Sequence, residues 1–346
     1  MEKRIYQLAV ALFCTSMVLV ATFCLNGCTQ SAFASEKKVV FTYNMSFGAP
    51  GSPEEQSAID LIEGVEKLSG GRITSDRIAN GVMGGEREVA EAIQMGTLDC
   101  AILSDVGIDV VTGNLGWAWL PFMITSYEDA DRYYHQGWVY DDMTTKMAEA
   151  GIVRLASAET GIKALGNVKR EIKTAEDLKG LKIRTTETPD LIRFYELLGC
   201  LPVAMSASET VPALEQKTID GVDTTFYNFR VQGVLDMLTY ICKTGHQYTG
   251  TSIIVSEKFW ASLSNEDKEI FRKAAKQAGE NNKTNKRAAE RALEEECRAS
   301  GKFVINELND ETRAKFRSAA DTLWDEYKNI YDPVQMEKVI NQFGKK

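Results

Sequence analysis

Arg184 closes the run Leu181-Lys182-Ile183-Arg184-Thr185-Thr186, a short β-rich stretch that stops just before a strong helix start. A guanidinium keeps its charge at any physiological pH and presents its donors as a planar fork. Held at a strand end, it can grip a carboxylate with two parallel hydrogen bonds. Strand-end arginines also serve as solvated or structural cations, so the surrounding elements must decide. Catalytic chemistry has little to stand on. The two histidines, His135 and His246, belong to no metal-binding spacing and no evident nucleophile partnership. There is no P-loop or dinucleotide glycine fingerprint, and no carboxylate pair is singled out. Cys100, Cys200, Cys242 and Cys297 are widely spaced without a CxxC pair and are expected as buried free thiols. The residues point to a binder of an organic anion, not an enzyme, with no cofactor and no metal.

The elements that must hold Arg184 are set by local signals. Thr174 to Gly180 reads as a one-turn helix with a Thr cap, an acid three residues on and a terminating Gly. Thr188-Pro189-Asp190 starts a helix carrying Leu191, Tyr195 and Leu198. Strand-like Leu201 to Met205, a helix near Ser208 to Gln216 and strand Asp220 to Thr224 complete a βαβαβ series. That order puts Arg184 and Thr224 at the carboxyl ends of neighbouring strands, where open α/β sheets bind ligands. The chain before it repeats the theme. Val39 to Tyr43 is strand-like, Ser52-Pro53-Glu54-Glu55 opens a helix as a capping box, and Gly70-Gly71 stops it. A further helix runs from Gly85 to Met95, and Cys100 to Leu103 is a strand. A long helix from Ser264 to about Ser300 has a polar interval at Asn281 to Lys286, and a last helix comes after Asn309. The fold class is α/β, with two domains around a cleft.

With 346 residues, 44% hydrophobic and 26% charged, the chain is long enough for two cores of ordinary soluble composition. A net charge of −9 with no basic patch excludes nucleic acid as a partner. It does not oppose an anionic ligand, because one buried Arg acts locally. Lys3 and Arg4 precede an uncharged, mostly apolar run from Ile5 to about Leu25, the layout of an export signal. Two processing sites compete: Leu25-Asn26-Gly27-Cys28, a lipoprotein box with an unusual Asn, and Ala32-Phe33-Ala34, which would end a 1–34 signal segment. Either leaves a periplasmic protein, lipid-anchored through Cys28 in the first case.

Six further words, in order along the chain, carry a family resemblance: Leu68-Ser69-Gly70-Gly71-Arg72-Ile73, Met83 to Glu88, Gly96-Thr97-Leu98-Asp99, Leu120-Pro121-Phe122, Asp177 to Arg184, and Ala213-Leu214-Glu215 through Asp220-Gly221. The set resembles the solute-binding proteins of TRAP (tripartite ATP-independent periplasmic) transporters. The resemblance implies a two-domain, type II-like periplasmic binding fold with a long helix bridging the domains and a ligand cleft between them. Domain 1 is expected over 36–160 plus 250–289, and domain 2 over 161–249 plus 290–346. It implies a monomer that delivers an organic acid to membrane TRAP permease subunits, driven by an ion gradient. An extracytoplasmic sensor subunit would share the whole binding fold.

The resemblance also assigns positions. Arg184 stands where the family's carboxylate-gripping arginine stands, and Lys163, two residues after Gly161, falls on a second position that is often Arg. The family's Gln-Glu-Asn-Pro is replaced by Val222-Asp223-Thr224-Thr225, so Thr224 offers a hydroxyl in place of an amide. Ala207 stands where a Phe is common. Space at Ala207, with Tyr227, Asn228, Phe229, Trp117 and Trp119 as candidate walls, leans towards a monocarboxylate with a bulky or aromatic substituent, such as an aromatic amino acid or its keto acid. A small dicarboxylate, a sugar acid or another organic anion is the alternative. Ser104 and Asp105 lie at the first domain's ligand edge; Phe47, Gly48 and Glu86 are candidates through their loops, with a helix-capping role equally open to Glu86.

Overall fold

The structure, a computed structural model, describes residues 38–45 and 49–344. The export segment, Cys28 and both processing sites, together with Phe47 and Gly48, lie outside the described residues. Among the described residues no helix is long and apolar enough to cross a membrane.

Strands β1 (Val39–Asn44), β2 (Ile73–Arg77) and β3 (Cys100–Ser104) are joined through α1 (Pro53–Leu68) and α2 (Glu86–Met95), with β1 parallel to both of its neighbours. Half of the expected capping box forms at α1. Ser52 accepts from Glu55 N, while the Glu55 carboxylate turns to Gly51 N at 2.8 Å. After α3 (Asp105–Thr112) and α4 (Trp138–Glu149) comes β4 (Ile152–Asn167), the longest strand. The predicted βαβαβ series is present as β5 (Lys182–Thr185), α5 (Pro189–Leu197), β6 (Leu201–Ala204), α6 (Thr210–Glu215) and β7 (Gly221–Thr225). Next are α7 (Phe226–Val231), β8 (Tyr240–Lys243), β9 (Tyr248–Ser256), α8 (Glu257–Ser262), α9 (Asn265–Ser300), β10 (Val304–Glu307) and α10 (Asp310–Tyr327). A helix beyond the one expected to be last, α11 (Pro333–Phe343), starts at an Asp332 cap with Pro at its first position.

The strands form one sheet in the order β2-β1-β3-β9-β4-β7-β5-β6, with β8 on β4 and β10 on β8. β4 joins its two halves: Ile152 to Ile162 pair antiparallel with β9, and Lys163 to Asn167 pair antiparallel with β7. The register slips between Glu159 and Gly161, where Gly161 has φ 118°, a conformation L side chains rarely adopt. Helix α9 packs along α1 and β4. Gly279 allows its close approach, since a Cβ there would lie 2.4 Å from Ser157 O. Within the polar interval beyond it, Asn282 and Lys286 are buried, and Asn282 accepts from Glu159 N at 2.8 Å and donates to Pro53 O at 3.2 Å.

Candidate functional site

β5 and β7 are parallel neighbours with Arg184 opposite Val222, so Arg184 and Thr224 share one face of the sheet near the strands' carboxyl ends. Arg184 is 3% exposed. Its Nε and Nη2 both donate to Met205 O, at 3.0 and 2.8 Å, and Met205 comes directly after β6. One edge of the fork is thereby pinned to a backbone carbonyl. Among the described residues Nη1 donates no hydrogen bond, so the opposite end stays available for a planar acceptor. Burial lowers the guanidinium's pKa; the charges of Asp223, Glu86, Glu187 and Glu209 push it back up. Thr224 is buried, and its hydroxyl accepts from Gln232 Nε2 at 3.2 Å, which leaves its own hydrogen to donate.

Lys163 is opposite Thr225 in the β4–β7 pairing, which places it with Asp223 on the other face of the sheet. Its ammonium meets Asp223 Oδ2 at 3.2 Å with both side chains buried. Asp223 also faces His246, whose Nε2 is 3.6 Å from Oδ1. The imidazole stacks on Phe194 at 5.4 Å and shares a hydrogen bond with Thr244 Oγ1 through Nδ1. Burial pulls the His246 pKa down to about 4 despite the carboxylate, so the ring is neutral at neutral pH. Tyr195 completes this polar group: its hydroxyl, Asp223 Oδ1 and His246 Nε2 lack a hydrogen bond of ordinary geometry among the described residues. Spacing alone could not find the group, because its members come from β4, α5, β7 and the segment before β9.

The first half of the sheet contributes Ser104, Asp105 and Glu86. Ser104 ends β3 and caps α3, accepting from Gly107 N at 3.0 Å. It donates to Glu86 through both N and Oγ, each at 2.8 Å. Burial raises the Glu86 pKa against these bonds and the Arg184 charge. Asp105 is consumed inside the wall by Tyr134 Oη at 2.8 Å, by Ser252 Oγ and by Arg154 Nη2 at 3.6 Å.

The aromatic candidates are mostly packed. Trp117 is fully buried and stacks on Trp138 at 5.7 Å, and Phe229 is fully buried against Phe226. Trp119 is buried, with Nε1 unbonded among the described residues and its carbonyl accepting from Gln247 Nε2 at 2.7 Å. Tyr227 lies under the Lys286 ammonium at 4.8 Å, and Asn228 Oδ1 accepts from the same ammonium at 2.6 Å. Lys286, on the polar interval of α9, also pairs with Glu54 of α1. Ala207 is partly buried in a short turn, two residues after the carbonyl that holds Arg184.

The family described as bacterial extracellular solute-binding protein, family 7, matches residues 44–330. A TRAP periplasmic solute-binding protein from Bordetella bronchispeptica, with density interpreted as pantoate, is 29% identical with a TM-score of 0.79, covering 89% of this chain and 100% of that one. Another from Ralstonia eutropha H16, with bound (S)-2-hydroxy-2-methyl-3-oxobutanoate, is 25% identical with a TM-score of 0.80, covering 89% and 99%. The C4-dicarboxylate-binding protein DctB of Bacillus subtilis is 24% identical over 86% of this chain and 84% of its own length. The family is one of transporter binding proteins rather than enzymes, and these solved relatives have the two-domain fold that the sequence words imply. The chain belongs to family 7 of the bacterial extracellular solute-binding proteins, the solute-binding components of TRAP transporters.

Proposed function

We propose that this chain captures a short hydroxylated monocarboxylate outside the cytoplasm and hands it to a TRAP permease, with Arg184 as the carboxylate clamp. The observation that carries the reading is the Arg184 fork, buried, fixed to Met205 O by one edge and unpaired at the other. Thr224, on the same face, supplies a second donor, while Lys163 is neutralised by Asp223 and acts as a supporting charge. Pantoate and 2-hydroxy-2-methyl-3-oxobutanoate, the acids associated with two relatives, are both compact α-hydroxy monocarboxylates. An aromatic substituent has less support, because Trp117 and Phe229 are spent on core packing and Tyr227 on Lys286.

In this reading the chain is a monomer of two domains, 36–160 plus 250–289 and 161–249 plus 290–346. The register slip at Glu159 to Gly161 supports the first of those boundaries. Export removes residues 1–34, or leaves a lipid anchor on Cys28. Mass spectrometry of ligand released from the purified exported chain tests the class directly: a compact hydroxy monocarboxylate is expected, and an aromatic acid or a C4 dicarboxylate would displace the reading. Arg184→Ala should lose about 2–5 kcal/mol of binding, the range for unpairing a buried charge. Arg184→Lys should recover little of it, since a point charge lacks the fork. Calorimetric affinities of both variants close to wild type would remove Arg184 from the site.

A further inference from the structure

Helix α9 is fastened through its polar residues to parts of the chain that precede Gly161. Asn282 is bonded to Glu159 N and Pro53 O. Arg287 holds Asp131 through Nη1 and Nη2 at 2.8 and 2.7 Å and Glu159 through Nε at 2.8 Å, and Glu290 accepts from Tyr127 Oη at 3.1 Å. Lys286 stands among these residues and reaches both ways. Its ammonium, 1% exposed, pairs with Glu54 in the first turn of α1, donates to Asn228 Oδ1 at 2.6 Å and lies over the Tyr227 ring. Glu54 follows the carboxyl end of β1, and Tyr227 and Asn228 follow that of β7. One buried charge thus joins the ends of strands from the two halves of the sheet. An ammonium only donates, so the Asn228 amide must turn its oxygen towards it. If the halves part while α9 stays fastened to the first, the bond to Asn228 breaks. A hydrogen bond to a charged group is among the stronger ones, so its loss opposes opening.

We propose that Lys286 is a positioning residue for solute capture: by holding Asn228 it draws the second half's strand ends onto the first and favours the closed arrangement before any solute is bound. The inference rests on the two-domain reading above, and not on Arg184 or on the identity of the ligand. A solute then meets a chain that is already closed for part of the time, and less of its binding free energy is needed to bring the halves together. The gain is the same for every ligand that requires the closed arrangement. Lys286 therefore raises affinity without choosing among solutes.

The test measures the separation of the halves in the exported chain without ligand, by pulsed electron paramagnetic resonance between spin labels on Glu91→Cys of α2 and Gln216→Cys just beyond α6. Both positions are exposed, and Cys100, Cys200, Cys242 and Cys297 are buried. Labelled but otherwise wild-type chain should show a component at the separation of this structure beside a longer one. Asn228→Ala should shift the ratio of the two towards the longer by about tenfold, as expected for losing a hydrogen bond to a charged group. Asn228→Asp offers the ammonium a charged acceptor and should keep or enlarge the shorter component. A wild type that lacks the shorter component overturns the proposal without any variant. So does a ratio that Asn228→Ala leaves within about threefold of wild type. Asn228→Asp behaving like Asn228→Ala also overturns it, since a loss of local packing then explains both. If Asn228→Ala does not fold, Glu54→Gln weakens the other end of the link and is held to the same shift. No solute enters this measurement, so its failure leaves the Arg184 clamp standing, and a clamp that fails by titration leaves the link to be judged by the label distances.

Discussion

Burying charge is tolerable only where partners are in place, and Asp190, at the start of α5, is short of them. It is 1% exposed with Oδ2 unbonded among the described residues, and burial pushes its pKa up to about 7. An unfolded Asp titrates near 3.9, so between about pH 4 and pH 7 the folded chain holds a proton that the unfolded chain has released. Stability from this group is therefore fully present below about pH 4 and is lost as pH rises through about 7, by about 1.4 kcal/mol per unit. Asp190→Asn cannot release that proton. The melting temperature of the variant relative to wild type should move in the variant's favour between pH 5 and pH 8, and a difference that does not change with pH would discount the buried carboxylate. His246, pulled down to about 4, runs the other way. It contributes stability that is present above its ordinary value near 6.5 and is lost as pH falls towards 4.

Helix α9 shows what a polar interval in an otherwise amphipathic helix can mean. Lys286 is 1% exposed and holds Glu54 of α1 and Asn228 of α7 at once, so it ties three elements together through one ammonium. Lys286→Met should cost about 3–5 kcal/mol by leaving the Glu54 carboxylate buried and unpaired. Adding Glu54→Gln should return much of that loss, and denaturation midpoints of the single and double variants check it. The interval was legible in the sequence as an interruption; the burial of Asn282 and Lys286 within it was not, because Asn281 to Lys286 reads as solvated by composition. The same holds for the strands. β5, β6 and β7 are announced by caps, glycines and β-branched residues, and they bring Arg184 and Thr224 to one face as the series predicts. β4 and β9 are buried along nearly their whole length. They lack the alternation that marks a half-buried strand, and the small polar run Thr249-Gly250-Thr251-Ser252 hides β9 further. Gly250 is small for a tertiary reason, since a Cβ there would lie 2.3 Å from Tyr134 Cε1. Among the site residues, Arg184 stands out by type and position, whereas the His246–Asp223–Tyr195 group is assembled by folding alone.

A ligand that touches both halves of the sheet would stabilise only the arrangement in which both reach it. Binding should then compact the chain and raise its melting temperature, because the ligand favours the state with which it makes more contacts. Small-angle scattering with and without saturating ligand should show a smaller radius of gyration in its presence; superimposable curves would place the whole site on one half. The sheet that carries these halves also governs how the chain reaches its final form. β3 is flanked by β9, with Cys100 opposite Val255, and α1 packs on α9, so the first half cannot close until residues far towards the carboxyl end have emerged. Pairings so distant in sequence must close long loops before they are rewarded, and they slow folding. A chain that has to cross a membrane by the general export route does so unfolded. For a chain exported in that way, this strand order would delay folding inside the cell and leave it to be completed on the side where the solute is captured.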